Sequence, residues 1–287
     1  MLAFSGCSNR SSAAVPILKP VILDDGQRTL TQCFWNIETN TIQESSDALV
    51  SGFLDLLTAW DGISCLYLPE NAPGGISYMA KGVTVAHISP YAPIHDGWYA
   101  YSTHNRVDNR IGLSGVVLSD GSKNYEFDFS GISMPEDDDY VIGGLCICSG
   151  YANFLLYPLH SSPAENGIYV IRAKIGDSNY DTIYIQGCPE WDAVNPPCWP
   201  NTVSVEDGFI VHDREGAIYK ISVPDMVIGK IMDSSGFCVS RLGSWNGYIL
   251  VASKHNTESS AVTYRAYKDG IISAEMTLEQ DYMLPNA

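Results

Sequence analysis

The sequence contains no apolar run of 18 or more residues, which excludes a membrane-spanning helix. Cations are scarce: 16 Lys and Arg stand against 33 Asp and Glu, giving a net charge of −17. No Lys/Arg run occurs. A phosphate-backbone interface needs clustered cations to release counterions, so nucleic acid is excluded as a principal partner. Charged residues make up only 17% of the chain, whereas 25 Gly, 15 Pro, 6 Trp, 17 Tyr and 8 Phe are present. That composition argues against disorder, a coiled coil or a helical bundle and for an all-β chain. Local catalytic motifs are missing as well. There is no Gly-x-Ser-x-Gly and no Cys in a protease-like context. Gly74-Gly75 and Gly143-Gly144 lack the strand-to-helix setting of a nucleotide loop and read as turns or bulges.

Eight Cys are present. Cys188 and Cys198 flank the Pro-rich loop Cys-Pro-Glu-Trp-Asp-Ala-Val-Asn-Pro-Pro-Cys, which a disulfide would stiffen in an oxidising compartment; two unlinked thiols are the competing reading. Cys33, Cys65, Cys146, Cys148 and Cys238 sit in apolar alternations and are expected to be small buried hydrophobes. Cys146-Ile-Cys148 is too closely spaced for a zinc pattern, and no structural metal is expected. The start of the chain, Met1-Leu-Ala-Phe-Ser-Gly-Cys7-Ser-Asn-Arg-Ser-Ser, is similar to the end of a bacterial lipoprotein signal. It lacks the basic region and most of the apolar region of such a signal. Either the start is placed too far downstream or the likeness is chance; on the first reading residues 1–16 are a truncated signal or tether with Cys7 as the lipid-bearing residue, and 17–287 are one domain.

A repeat organises that domain. A small polar residue followed by Gly and then an aromatic or aliphatic strand recurs at Asp61-Gly62, Asp96-Gly97, Ser149-Gly150, Asp207-Gly208 and Asn246-Gly247. Asp-Gly and Asn-Gly supply the positive φ that tight hairpin turns demand, and the residues beside them favour strands. Each turn is followed by a second hairpin, so the units read as four strands, A to D. The clearest runs Asn201–Asp207, Phe209–His212, Ala217–Val223 and Met226–Met232; the next runs Phe237–Leu242, Tyr248–Ala252, Ala261–Tyr267 and Ile271–Thr277. Asp25-Gly26 is taken as the opening of a sixth unit. Ser46 to Leu57 has near-helical apolar spacing after an Asp that would cap it, and its short length and the Gly52 interruption read at least as well as a buried A strand.

Four antiparallel strands in units of roughly 48 residues is the period of a β-propeller blade. Over residues 20 to 284 the chain resembles the β-propeller superfamily, most nearly its irregular PQQ-repeat or Kelch-like members. The resemblance implies a single propeller of about six four-stranded blades, with five or seven as alternatives. No Trp-Asp blade ending, Asp-box or double-Gly signature is present, so no family site is carried over.

In a propeller the A-to-B and C-to-D turns share one face, and the B-to-C loops and D-to-A crossings share the other. His104, His160, His212 and His255 all fall at or just after B-strand ends, beside Arg106 and Arg214, and so belong to the second face. Imidazoles there suit metal binding or acid–base work. B strands lie away from the axis, however, so four such ends are too far apart for one ion at about 2 Å per ligand, and solvated loop tips are the favoured reading. Glu136-Asp137-Asp138-Asp139 is a candidate for calcium but lacks an Asp-x-Asp-x-Asp-Gly loop and is read first as a solvated acidic loop; no cofactor is expected. Trp191 and Trp199 lie in a D-to-A crossing and suit either stacking on sugars or plugging the sheet edge.

These readings lead to a non-enzymatic binding or scaffold module that presents a loop face to a protein or glycan ligand. It would be tethered at a bacterial envelope, with membrane contact only through lipid on Cys7. A carbohydrate-active hydrolase or lyase, whose paired carboxylates would come from different blades and leave no local pattern, is one alternative. A phage virion or tail component, extracellular in the broad sense, is another, because fold alone does not choose among functions.

Overall fold

A computed structural model of the protein describes residues 13–22, 24, 28–50, 57–62, 65–67, 77–80, 83–86, 92–107, 110–132, 140–158, 167–186, 202–213, 215–233, 236, 238–255 and 260–285. These residues form strands and turns, with no helix among them. In chain order the strands are β1 (Ala14–Ile22), β2 (Arg28–Asn36), β3 (Thr41–Val50), β4 (Leu57–Trp60), β5 (Cys65–Tyr67), β6 (Ser77–Ala80), β7 (Val83–Ala86), β8 (Ile94–His95), β9 (Trp98–Val107), β10 (Arg110–Ser119), β11 (Asn124–Asp128) and β12 (Tyr140–Cys148). They continue as β13 (Tyr151–Pro158), β14 (Ile168–Lys174), β15 (Tyr180–Ile185), β16 (Val203–Val205), β17 (Gly208–His212), β18 (Ile218–Ser222), β19 (Val227–Met232), β20 (Cys238–Trp245), β21 (Tyr248–Lys254), β22 (Val262–Lys268) and β23 (Ile271–Leu278).

Sequential strands pair antiparallel into the sheets β1-β2-β3, β8 to β11, β12 to β15, β16 to β19 and β20 to β23, while β4-β5 and β6-β7 form two hairpins. With β5 lying beside β6, the strands fall into six units in chain order, the meandering blades of a β-propeller. Neighbouring units pack face to face. One core joins Phe127 and Phe129 of the third unit to Leu145 and Phe154 of the fourth, and another joins Leu155 and Val170 of the fourth to Phe209 and Val211 of the fifth. Val203 and Ile210 then meet Leu242 and Val251, and Leu250 and Tyr264 of the last unit meet Val15 and Trp35 of the first, which closes the ring.

Burial explains the sequence pattern. A blade's middle strands are covered on both faces, so β13 reads Ala-Asn-Phe-Leu-Leu-Tyr-Pro without alternation and is buried from Ala152 to Pro158. The outermost strands β15, β19 and β23 are largely exposed and carry polar residues between their apolar ones.

Two expectations change and one open reading is resolved. Asp25-Gly26, outside the described residues, falls between β1 and β2 and does not open a blade. The fourth strand of the first unit comes from the C-terminal end instead: Leu18 and Met283 exchange amide–carbonyl hydrogen bonds of 3.0 and 2.9 Å. The same dipeptide serves a different connection because strand order is set by long-range pairing, not by turn chemistry. Thr41–Val50 is a strand and not the start of a helix, since β2 offers partners from Thr41 opposite Asn36 to Val50 opposite Leu30. An isolated short helix would have to meet its nucleation cost without such partners. Residues 51–56 lie outside the described residues. β1 begins at Ala14, ahead of the expected domain start at residue 17, and Ala13 is already buried.

Of the cysteines expected to be buried, Cys33 and Cys146 are, Cys148 is half-buried, and Cys238, the first residue of β20, is exposed. Burial pushes the Cys33 thiol up to about 11 and the Cys146 thiol up to about 12, so both stay protonated. Cys7, Cys188 and Cys198 lie outside the described residues.

Candidate functional site

The site is built by the innermost strands and the turns that leave them. Each A strand ends one residue before its turn, at Trp60, His95, Cys148, Val205 and Trp245, and these positions pair with Cys65, Trp98, Tyr151, Gly208 and Tyr248. The turns Asp96-Gly97 and Asn246-Gly247 hold both residues at positive φ, 49 and 71° in one and 47 and 79° in the other, the type I′ geometry that Asp, Asn and Gly tolerate.

Polar bonds link these strands from unit to unit. The Asp61 carboxylate, 2% exposed, accepts the Gly97 amide at 2.9 Å. His95 Nδ1 accepts the Ile147 amide at 3.0 Å. The Ser204 hydroxyl donates to the Leu145 carbonyl, the Ser244 hydroxyl donates to the Ser204 carbonyl at 2.7 Å, and the Ser244 amide donates to the Pro285 carbonyl at 2.9 Å. Gly62 completes the circuit by close approach. A Cβ there would run into the Trp245 ring and lie 3.2 Å from Pro16, so the sixth unit's tryptophan reaches the turn of the second.

A cleft of about 810 Å³ opens on this turn face and extends between the fifth and sixth units. Its lining includes the carboxylates of Asp61, Asp96, Glu206, Asp207 and Asp269, the aromatic rings of Trp245, Tyr248 and Tyr267, and His95. Lys220 is the one ammonium among the described lining residues, and it bonds Asp207 at 2.7 Å. Both partners are a third or more exposed, so the pair adds little to stability. Burial holds the His95 imidazole below its ordinary pKa against the opposing fields of Asp96 and Asp61, so the ring is neutral near pH 7. With Nδ1 taken by the Ile147 amide, the proton of the neutral ring is on Nε2. Burial also raises the Tyr267 phenol, which remains a hydroxyl. Among the described residues no three of His, Cys, Asp and Glu converge closely enough to share a metal ion.

Of the residues singled out from the sequence, His104, Arg106, His212 and His255 are described, and they lie on or just after the second strands of their blades. His104 and Arg106 are on β9, in register with Leu113 and Ile111 of β10. His212 ends β17, where Nδ1 meets the Asp213 carbonyl at 2.9 Å and burial lowers its pKa. Asp213 organises the loop that follows, its carboxylate accepting the amides of Glu215 and Ala217 at 3.0 and 2.8 Å and the Tyr219 hydroxyl at 3.1 Å. His255 follows β21 and is exposed. His160, Arg214, Trp191, Trp199 and the acidic run 136–139 lie outside the described residues. Sequence reading took Asp61, Asp96, Asp207 and Asn246 only as turn formers and passed over His95. The available signal was positional: His95 stands where the equivalent blades carry Trp60 and Trp245.

No family model and no curated protein matches the sequence. Solved structures do. A chain in the crystal structure of the nidogen/laminin complex is 8% identical over 94% of this chain and 96% of its own, with a TM-score of 0.47. A putative 6-phosphogluconolactonase from Bacteroides fragilis is 13% identical, covering 97% of this chain and 98% of its own, at 0.46. Prolyl oligopeptidase B from Galerina marginata is 9% identical over 92% of this chain and 44% of its own, at 0.48. Likeness at these identities concerns fold, and the propeller architecture itself is carried by the sheet topology.

Proposed function

We propose that the protein is a non-enzymatic binding module that captures a protein or glycan ligand in the turn-face cleft and is held at a bacterial envelope through lipid on Cys7. The observation that carries the binding role is the cleft itself: turns from separate blades bring acceptors, a buried imidazole and aromatic walls around one opening. Concave sites with aromatic walls and a few fixed polar groups are where ligands bind. The blades behind the turns are cross-bonded, so the site is preorganised and little ordering entropy opposes binding. The envelope tether rests on the Leu-Ala-Phe-Ser-Gly-Cys7 stretch and the Ser-rich residues after it.

Peptide and glycan arrays probed with the wild type, with Glu206→Lys/Asp269→Lys and with Lys254→Glu/His255→Ala test the binding face. Ligands captured by the wild type should be lost by the first variant and kept by the second. The reverse pattern would move function to the B-to-C face. Incorporation of labelled palmitate into the full-length protein, abolished by Cys7→Ser, tests the tether.

A further inference from the structure

We infer that the ligand of the cleft is a basic peptide segment of a partner protein, with a Lys or Arg side chain entering among the carboxylates and a backbone carbonyl accepting from His95. The inference rests on the binding-module reading and names its ligand class.

Three observations select this chemistry. The first is charge. Among the described residues five carboxylates line the cleft against one ammonium, and that ammonium is already engaged by Asp207. Like charges around a concave opening focus their field outward, which draws in cations. The carboxylates stand on turns of different blades, and among the described residues no three ligating groups meet closely enough for one metal ion. A compact divalent ion needs six or more oxygens at short range. Carboxylates spread over separate turns suit organic cations spaced along a chain.

The second is His95. The ring is only 9% exposed, lines the cleft and has Nδ1 occupied by the Ile147 amide. Nε2–H is thus the ring's remaining donor. A polyamine would satisfy the carboxylates and leave this donor unmet. An anion would do the reverse. A peptide bearing a cation supplies both partners, a side-chain donor and a main-chain acceptor one residue away. A neutral glycan offers donors and acceptors but nothing to offset the charge.

The third is the aromatic wall. Trp245, Tyr248 and Tyr267 provide ring faces for the stem and head of a long cationic side chain. The protein already uses one of these rings in this way: Lys268 Nζ lies 5.2 Å from the Tyr248 centroid.

The test is calorimetric titration of the folded chain with four probes: a blocked Lys-Gly-Arg-Gly-Lys peptide, its Glu-Gly-Glu-Gly-Glu counterpart, spermidine and chitotetraose. The basic peptide should bind, more tightly than spermidine of equal charge, and more weakly as salt rises. Asp96→Asn/Glu206→Gln/Asp269→Asn should weaken it about tenfold, since three field sources are lost. Asp24→Asn/Glu126→Gln/Asp181→Asn removes as many exposed charges elsewhere and should bind like the wild type. Matched thermal midpoints certify that both triple variants fold. Equal binding by the two triple variants, spermidine binding as tightly as the peptide, or comparable binding of the acidic peptide would overturn the inference, as would failure of the basic peptide to bind. If chitotetraose binds and the cleft variant loses it while the basic peptide is inert, the peptide inference falls and the binding-module reading stands.

Discussion

The Asp61 carboxylate accepts the Gly97 amide at 2.9 Å across the boundary between the second and third blades. Both residues are buried, so little water is at hand to replace the bond. Asp61→Ala would orphan the Gly97 N–H at a cost of about 1–3 kcal/mol. Asp61→Asn keeps an acceptor oxygen and should lose less. Urea unfolding midpoints of the two variants measure the difference; an alanine variant as stable as the wild type would show that this bond does not hold the blades together.

Two imidazoles, His95 buried and His212 half-buried, give stability a defined pH dependence. His95 and His212 both have pKa values lowered by burial, so the folded chain keeps them neutral where the unfolded chain would protonate them. Unfolding therefore takes up protons. The stability they contribute is present above the ordinary histidine value of 6.5 and is lost as pH falls through it toward the lowered folded values. Thermal midpoints should drop between about pH 7.5 and 5.5, and His95→Gln/His212→Gln should flatten that slope. A double variant with the wild-type slope would assign the titration to other groups.

The blade turns were legible in the sequence because Asp-Gly and Asn-Gly carry their backbone geometry with them. Asn246-Gly247 and Asp96-Gly97 are both A-to-B turns with the expected φ signs. The C and D strands read at Ala261–Tyr267 and Ile271–Thr277 were legible because their pairing is local, and they are found at Val262–Lys268 and Ile271–Leu278. The closing strand was not, since Leu18 finds Met283 across nearly the whole chain, and no local pattern announces such a partner. The cleft was hidden for the same reason. Asp96, Glu206 and Asp269 come from three blades and become neighbours of one opening only when the ring closes.

Ring closure has its own test at Tyr264. Its hydroxyl, in a side chain 2% exposed, accepts the Tyr282 amide at 2.6 Å and donates to the Gln280 carbonyl at 3.2 Å, just before Met283 pairs with Leu18. Tyr264→Phe leaves the Tyr282 N–H without its acceptor, and the cost should be about 1–3 kcal/mol. Native-state hydrogen exchange should show the Leu18 and Met283 amides losing protection together. Loss at Met283 alone would mean that the C-terminal strand frays without opening the first blade.

Gly143 tests how closely the inner strand of the fourth blade packs. The register of β12 shifts between Ile142 and Gly144, and a Cβ on Gly143 would fall within the Tyr157 ring. That ring is held in place by its hydroxyl, 2.5 Å from Thr202 Oγ1 at the start of the fifth blade, so it cannot swing aside without breaking a contact between blades. Gly143→Ala should destabilise by about 1–3 kcal/mol or more, the cost of overpacking a filled core. Tyr157→Ala should also destabilise, by leaving a cavity. Combined, the second change makes room for the first, so the double variant should lose less than the two single losses added together, a coupling that chemical denaturation resolves. Strict additivity would show that the alanine at 143 is strained by its backbone and not by the tyrosine.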